Sequence, residues 1–268
     1  MRKLAQIWRY PVKSLAGAAH PGLSVGSRGP EGDRHWMVVD LEGRFVTQRQ
    51  LPHMALLQAR LHDGVLQLED AEGHRLAVQA GAAGDPLRVQ VWGDRVAAVA
   101  PDPAVDAWLS ERLGQPCRLV CQPEHGVRPV DPTYGAPGDQ VDFADGFPFL
   151  LIAQASLDDL NARLEHPVEM RRFRPNLVVD GCEPYEEDRW RRIRIGEMTF
   201  RVVKPCSRCP IPSIDPDTGV RGAEPLRTLM SYRRRDNKVY FGQNLIHDGC
   251  GALATGMPVE VLEWGEPL

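Results

Sequence analysis

Short apolar runs, alternating or continuous and broken every few positions by Gly, Asp or Pro, fill the first hundred residues and predict strands rather than helices. Residues 4 to 10 form the first run, and Pro11-Val-Lys-Ser14 places a cation and a hydroxyl at its end. His35 to Asp40 and Arg44 to Gln48 flank Leu41-Glu-Gly43, and Ala55 to Leu61 and Val65 to Leu68 flank His62-Asp-Gly64. Arg88 to Trp92 and Arg95 to Ala100 repeat the arrangement around Gly93-Asp94, so three hairpins are expected. The period then changes, because Val105, Trp108, Leu109 and Leu113 recur at helical spacing with Gly114 as the stop. Cys117 to Cys121 reads as a strand with both thiols on one face, small buried side chains without assigned chemistry. The Pro-, Gly- and Asp-rich segment Gln122 to Asp139 is a long loop or a boundary.

Beyond it, the continuous run Phe147 to Ile152 predicts a buried strand. Ser156-Leu-Asp-Asp159 reads as a helix N-cap followed by Leu157, Leu160 and Leu164 as the buried stripe. Leu177 to Val179 is a further strand, Ile193 to Ile195 and Met198 to Val203 make a hairpin about Gly196-Glu197, and Val239 to Ile246 and Val259 to Trp264 close the pattern. The expected class is α+β, predominantly β, in two domains spanning residues 1–122 and 123–268.

Composition changes this picture little. Of 268 residues, 43% are hydrophobic and 25% charged, as in an ordinary soluble globular protein. A net charge of -4 argues against non-specific nucleic-acid binding, so no nucleic-acid partner is expected. Arginine outnumbers lysine 28 to 4, and it clusters at Arg171-Arg-Phe-Arg174 and Arg233-Arg-Arg235. Each cluster either holds a small anion in its planar forks or is a solvated face, and the second reads as the more solvated. Six cysteines at irregular spacing do not form the dense framework of a small secreted domain and fit a reducing compartment. Arg9, Pro11 and Lys13 interrupt any signal-like run, and no segment approaches the roughly 18 apolar residues of a membrane span. A cytoplasmic protein without membrane association is expected.

The chemistry centres on the loop that the Ile193 to Val203 hairpin delivers. Cys206 and Cys209 stand beside Lys204 and Arg208, and cationic neighbours favour the thiolate. Asp215-Pro-Asp-Thr-Gly219 follows with strong turn chemistry. One Cys-x-x-Cys pair is half a zinc site, a redox dithiol, or a cofactor ligand with a bystander thiol. A second pair at zinc spacing is missing, Pro210 and Pro212 oppose the helix that a thioredoxin-like dithiol opens, and no glycine-rich nucleotide loop occurs.

Taken in order along the chain, nine short motifs carry a resemblance. They are Tyr10-Pro-Val-Lys-Ser14, Asp33-Arg-x-Trp36, Val46-Thr-x-Arg49, Ala144-Asp-Gly146, Arg174-Pro-Asn176, Glu187-Asp-x-Trp190, Lys204-Pro-Cys-Ser-Arg-Cys209, Asp215-Pro-Asp-Thr-Gly219 and Phe241-Gly-Gln243. The set resembles the MOSC-domain proteins of the molybdenum-cofactor family that includes the mitochondrial amidoxime-reducing component and its bacterial homologues. The resemblance implies an N-terminal β-rich domain followed by a MOSC β-barrel domain, with molybdenum-molybdopterin between them. It makes Cys209 the molybdenum ligand and catalytic residue, and Cys206 a packed neighbour. It places Lys13, Ser14, Arg34, Arg174, Asn176, Ser207 and Asn244 at cofactor contacts. Pro175 is expected to hold Arg174 in an extended backbone.

The activity the resemblance implies is reduction of N-hydroxylated compounds (amidoximes, hydroxylamines or hydroxylated nucleobases), independent of pyridoxal phosphate. Electrons are expected from a separate reductase or ferredoxin-like protein, since the chain ends at Leu268 without the extra cysteines of ferredoxin-fused relatives. Pro210-Ile-Pro-Ser213 departs from the Ile-Leu-Thr-Thr that amidoxime-reducing members tend to carry and stands nearer to the cofactor-sulfurase branch. The alternative is therefore a non-redox sulfur carrier, with a persulfide on Cys209, or a cofactor carrier.

Overall fold

A computed structural model describes residues 1–79 and 84–267. Its largest element is a nine-stranded sheet. The strands run Val259–Trp264, Trp190–Ile195, Met198–Ser207, Lys238–Asp248, Phe149–Ala153, Leu177–Asp180, Lys3–Arg9 and Ala18–His20 from edge to edge, with Arg234–Arg235 paired beside the long Lys238–Asp248 strand. The chain's first strand, with Ala18–His20 at its outer side, thus joins a sheet whose other strands come from the second half of the chain. One pair in this sheet is parallel, Phe149–Ala153 with Leu177–Asp180, and its crossover carries the helix Gln154–Asn161. A four-stranded sheet joins Trp36–Val39, Arg118–Cys121, Asp94–Ala100 and Asp85–Val91. Two three-stranded sheets complete the fold, one from Gln58–His62, Val65–Glu69 and Arg75–Gln79, the other from Gly251–Ala254, Gly22–Gly26 and Gly29–Pro30.

The expected elements appear with shifted edges. The helix Pro103–Leu113 starts where Asp102 accepts the Ala104 N–H at 2.8 Å and stops at Gly114, whose φ of 68° is left-handed. Cys117 and Cys121 are buried in the apolar cluster that this helix covers, together with Leu109, Leu113 and Trp36. The stretch before Gln58 is a short 3-10 turn, Pro52–Leu56, rather than strand. Periodicity overlooked the strand Arg75–Gln79, whose outer face is polar, and the helix Leu226–Tyr232, which buries Leu229 alone among its residues.

Ser156 is not an N-cap. It lies inside the helix, fully buried, and its hydroxyl donates to Glu187 at 2.8 Å while accepting the Tyr185 N–H at 2.8 Å. That carboxyl also accepts the Ala153 N–H at 3.1 Å, so Glu187 ties the parallel crossover to the strand after it. The next carboxylate, Asp188, takes Arg233 at 2.6 Å and the Gln243 amide at 2.7 Å. Gly242, between Phe241 and Gln243, has φ 83°, and a Cβ there would stand 2.7 Å from Ile152 and 2.9 Å from the Leu151 carbonyl. Only glycine lets these central strands approach so closely.

Burial, with the nearby Asp188 charge adding to it, pushes the Glu187 carboxyl up to about 7. The native state therefore holds this proton more tightly than the unfolded chain. The stability it contributes is full below the unfolded value and lost as pH rises through about 7. The unfolding free energy from urea titration is expected to fall between pH 5 and pH 8, by on the order of 3 kcal/mol at the upper limit. Glu187→Gln, which removes the titration, should flatten that profile; an unchanged slope in the variant would show that another group causes it.

Candidate functional site

A cleft of about 750 Å³ opens where the end of the first strand, the Met198–Ser207 strand and the Asp85–Ala100 hairpin meet. Lys13, Ser14, Arg34, Arg174, Asn176, Ser207, Cys209 and Asn244 all lie on its wall. Residues from positions 13 to 244 are thus brought to one surface. Seven cationic side chains and three carboxylates line it, in a chain whose net charge is negative. Asp145 is taken by Lys13 at 2.5 Å and Asp94 by Arg128 at 3.0 Å. Among the described residues, Arg49, Arg174, Lys204 and Arg208 have no carboxylate in ion-pair range. An anion is what such a wall attracts.

The charge is densest at Tyr10. Arg34 and Arg174 place their guanidinium carbons 4.4 and 4.3 Å from the centre of its ring. Gly17 makes room behind it, since a Cβ there would stand 2.5 Å from the ring and 2.3 Å from the Arg9 carbonyl. Arg34 is held by Asp33 at 2.6 Å, by the Asn176 side-chain oxygen at 3.0 Å and by the Arg174 carbonyl at 2.9 Å. Asp33, buried, also accepts the Tyr10 N–H at 2.8 Å. Arg174 donates to the Leu15 carbonyl at 2.6 Å, and burial together with the Arg34 charge pushes its guanidinium down to about 10. Burial pushes the Tyr10 phenol up to about 12, so the ring stays neutral.

Arg174 is not extended. Its φ of 55° and ψ of 45° are left-handed, because it closes the 3-10 turn Met170–Phe173 with its N–H on the Arg171 carbonyl. This local geometry overrides the influence of Pro175 and turns one arginine of the cluster into the cleft. The other two are drawn off, Arg171 by Asp217 and Arg172 by Asp215, each at 2.5 Å. Arg233, expected on a solvated face, is instead largely buried, paired with Asp188 and stacked on Tyr185 at 4.3 Å. Arg234 and Arg235 are exposed.

The thiol strand reaches the cleft bulged. Its register against Lys238–Asp248 shifts between Val202 and Lys204 and again between Pro205 and Ser207, where proline has no N–H to donate. Cys206 and Cys209 are both half-buried on the wall. Cys206 is more than a packed neighbour, because Arg208 donates to its sulfur at 3.0 Å, yet burial outweighs that guanidinium and pushes the thiol up. Arg208 also donates to the Phe173 carbonyl at 2.8 Å, and its Nε is buried without a partner among the described residues. Pro210 leads into a single 3-10 turn, Ile211–Ser213.

Three further residues of the expected set are engaged with the protein itself. Asn176 is buried, accepts from Arg34 and from the Leu150 N–H, and donates to the Trp8 carbonyl, so it positions Arg34. Lys13 donates to the Phe143 carbonyl at 2.8 Å as well as to Asp145, and burial pushes its pKa down against the pull of that carboxylate. Asn244 donates to the Lys204 carbonyl at 3.2 Å and so pins the bulged strand. Lys204 and Arg208, expected only as cations beside the thiols, join the wall, and so does Arg49, which had no assigned role; all three lie within the quoted motifs, which was the available signal.

Comparison with known proteins gives a consistent result. The family model "MOSC N-terminal beta barrel domain" matches residues 1–116, and the model "MOSC domain" matches residues 138–260. The human mitochondrial amidoxime-reducing component 1 is 36% identical over 97% of this chain and 82% of its own length. The molybdenum cofactor sulfurase of Oryza sativa subsp. japonica is 32% identical over 89% of this chain and 32% of its own. The crystal structure of the YuaD protein from Bacillus subtilis covers 97% of this chain and 94% of that one, at 10% identity and a TM-score of 0.42.

Arg174→Ala is expected to weaken binding of a phosphate monoester roughly 10-fold or more, the loss of one charge-assisted hydrogen bond, while keeping the circular dichroism spectrum. Arg233→Ala should bind it normally but melt earlier, since the buried Asp188 loses its counter-ion at a cost on the order of 3 kcal/mol. Titration and thermal melts of the two variants separate these roles; equal phosphate affinity in Arg174→Ala and the parent would remove Arg174 from the anion site.

Proposed function

Because the chain belongs to the MOSC-domain family, we propose that it is a molybdenum-cofactor oxidoreductase that reduces N-hydroxylated compounds to their N–H forms. The observation that carries this reading is a half-buried Cys209 thiol sharing one cleft with four cations that have no carboxylate partner among the described residues, in a chain with an amidoxime-reducing relative along almost all of its length. These residues suit the group. A soft thiolate matches a molybdenum centre, and Arg174, Arg208 with its unpartnered Nε, and Arg34 match a phosphate-bearing pterin. Ser14, Ser207 and Asn244 offer further polar groups along the same wall.

Bound in the cleft, the cofactor supplies two-electron chemistry at a centre that accepts oxygen. Cleavage of the N–O bond then takes two electrons and two protons and releases water. The chain's own residues bind, orient and charge the site. Asp33 and Asn176 lock the Arg34 fork, and the Tyr10 ring fixes how far Arg34 and Arg174 stand from the space they face. Although burial works the other way, Lys13 and its hydrogen bond hold Asp145 below the usual carboxylate range, so Asp145 remains ionised. The proton of this pair sits on Lys13 Nζ. Electrons come from a separate donor, a reductase or a ferredoxin-like protein, and the expected setting is the cytoplasm.

A second reading, a sulfur carrier with a persulfide on Cys209, is favoured by the proline-bounded turn after that residue, since Pro210-Ile-Pro-Ser213 stands nearer to the sulfurase branch. One preparation tests both. Protein made in a cofactor-producing host should contain stoichiometric molybdenum and pterin and reduce a model amidoxime with a chemical donor. Stoichiometric zinc without pterin fluorescence would sink the reductase reading, and a Cys209 persulfide seen by mass spectrometry without reduction would favour its rival.

Cys209→Ala is expected to lose the metal and the activity together. Cys206→Ala should retain molybdenum, because its thiol is kept neutral by burial and its main partner is Arg208. Retention of molybdenum by Cys209→Ala and its loss from Cys206→Ala would reverse the assignment.

A further inference from the structure

The strands Asp85–Val91 and Asp94–Ala100 are closed by the two-residue turn Trp92-Gly93, with Asp94 paired to Val91. A positive φ in such a turn usually falls on glycine or asparagine. Here it falls on Trp92, at 56°, and not on the glycine beside it. A large aromatic residue stays in a left-handed conformation only where its surroundings over-determine it. Trp92 is held by Asp145, which accepts its indole N–H at 3.2 Å, and by Gln90, whose amide donates to its carbonyl at 2.9 Å. The turn is also tied down by Arg128, itself buried, on Asp94.

Despite these ties, 46% of Trp92 is exposed, and it lies on the wall of the cleft. The Arg49 guanidinium covers the ring at 4.6 Å, and Phe45 packs against it with centroids 5.2 Å apart at a tilt of 55°. What remains open is a rigid aromatic surface next to an ionised carboxylate. That combination stacks a flat conjugated ring and accepts from an N–H at its edge.

We propose that Trp92 is a stacking platform at the mouth of the cleft that selects flat, conjugated substrates over aliphatic ones carrying the same reacting group. This rests on the reductase reading above and adds the part of the substrate away from the N–O bond. Benzamidoxime and acetamidoxime are a matched pair, sharing the amidoxime and differing in a phenyl or a methyl group.

On the cofactor-loaded protein, calorimetric titration should show tighter binding of benzamidoxime than of acetamidoxime, and kcat/KM should follow the same preference. Trp92→Ala should reduce that preference about tenfold. Trp92→Phe, which keeps a ring and loses the N–H, should retain most of it. An unchanged preference in Trp92→Ala overturns the proposal. So does a preference lost as fully in Trp92→Phe, because the Asp145 hydrogen bond rather than the ring face would then be selecting. Calorimetry reads binding alone, so a protein that discriminates the two ligands and reduces neither leaves the platform standing and removes the reductase reading.

Discussion

Two guanidinium groups gathered on one tyrosine ring, with a single buried carboxylate beside them, set the condition that the rest of the cleft must meet. Like charges held this close repel, and burial strips them of the water that would screen them. The fold meets the condition from three sides. Asp33 neutralises Arg34 and carries the Tyr10 backbone, the Tyr10 ring receives both cations, and backbone carbonyls at Leu15 and Arg174 each take one further donor. None of these partners satisfies Arg174 with a full negative charge. The residual positive potential is a property of the site rather than an oversight of packing, and an anionic ligand would relieve it.

Backbone strain collects at the same place. Among the described residues, eight non-glycine residues have positive φ, and Ser14, Arg34, Trp92 and Arg174 among them line the cleft. Each left-handed residue of this kind costs on the order of 1 kcal/mol, so the concentration is informative. The strained positions sit where the chain leaves a strand or closes a turn, which is where a side chain can be aimed away from the sheet it came from. Bulges on either side of Cys206 do the same for the thiol strand.

Neutralisation elsewhere keeps the field of the cleft local. Arg171 and Arg172 are taken by the turn that carries Asp215 and Asp217, and Asp215 also accepts the N–H groups of Asp217 and Thr218 at 3.0 Å. Arg233 is absorbed by Asp188 under the central sheet. Stability and site chemistry therefore draw on one residue type in two ways, with Arg171, Arg172 and Arg233 held by carboxylates and Arg174 and Arg208 left to the cleft.

Alternation and turn residues determined the β-rich class, most strands, the Pro103–Leu113 helix and the dithiol loop, because period and punctuation are local properties of a chain. The ordered motifs pointed to the family, and the wall that Cys209, Arg34 and Arg174 share was foreshadowed by them. Local pattern could not show that the first strand enters a sheet made mainly by the second half of the chain, that Ser156 serves Glu187 instead of a helix start, or that Arg174 abandons the extended backbone before proline. It ranked the Arg233 cluster as the more solvated and so missed the burial of Arg233 against Asp188. The 3-10 turn before Arg174 set its backbone, while the side chains were settled by partners more than twenty-five residues away: Glu187 for Ser156, Leu15 and Tyr10 for Arg174, Asp188 for Arg233. A carboxylate or carbonyl brought in from such a distance changes the charge and conformation of an arginine without leaving any mark on the sequence around it.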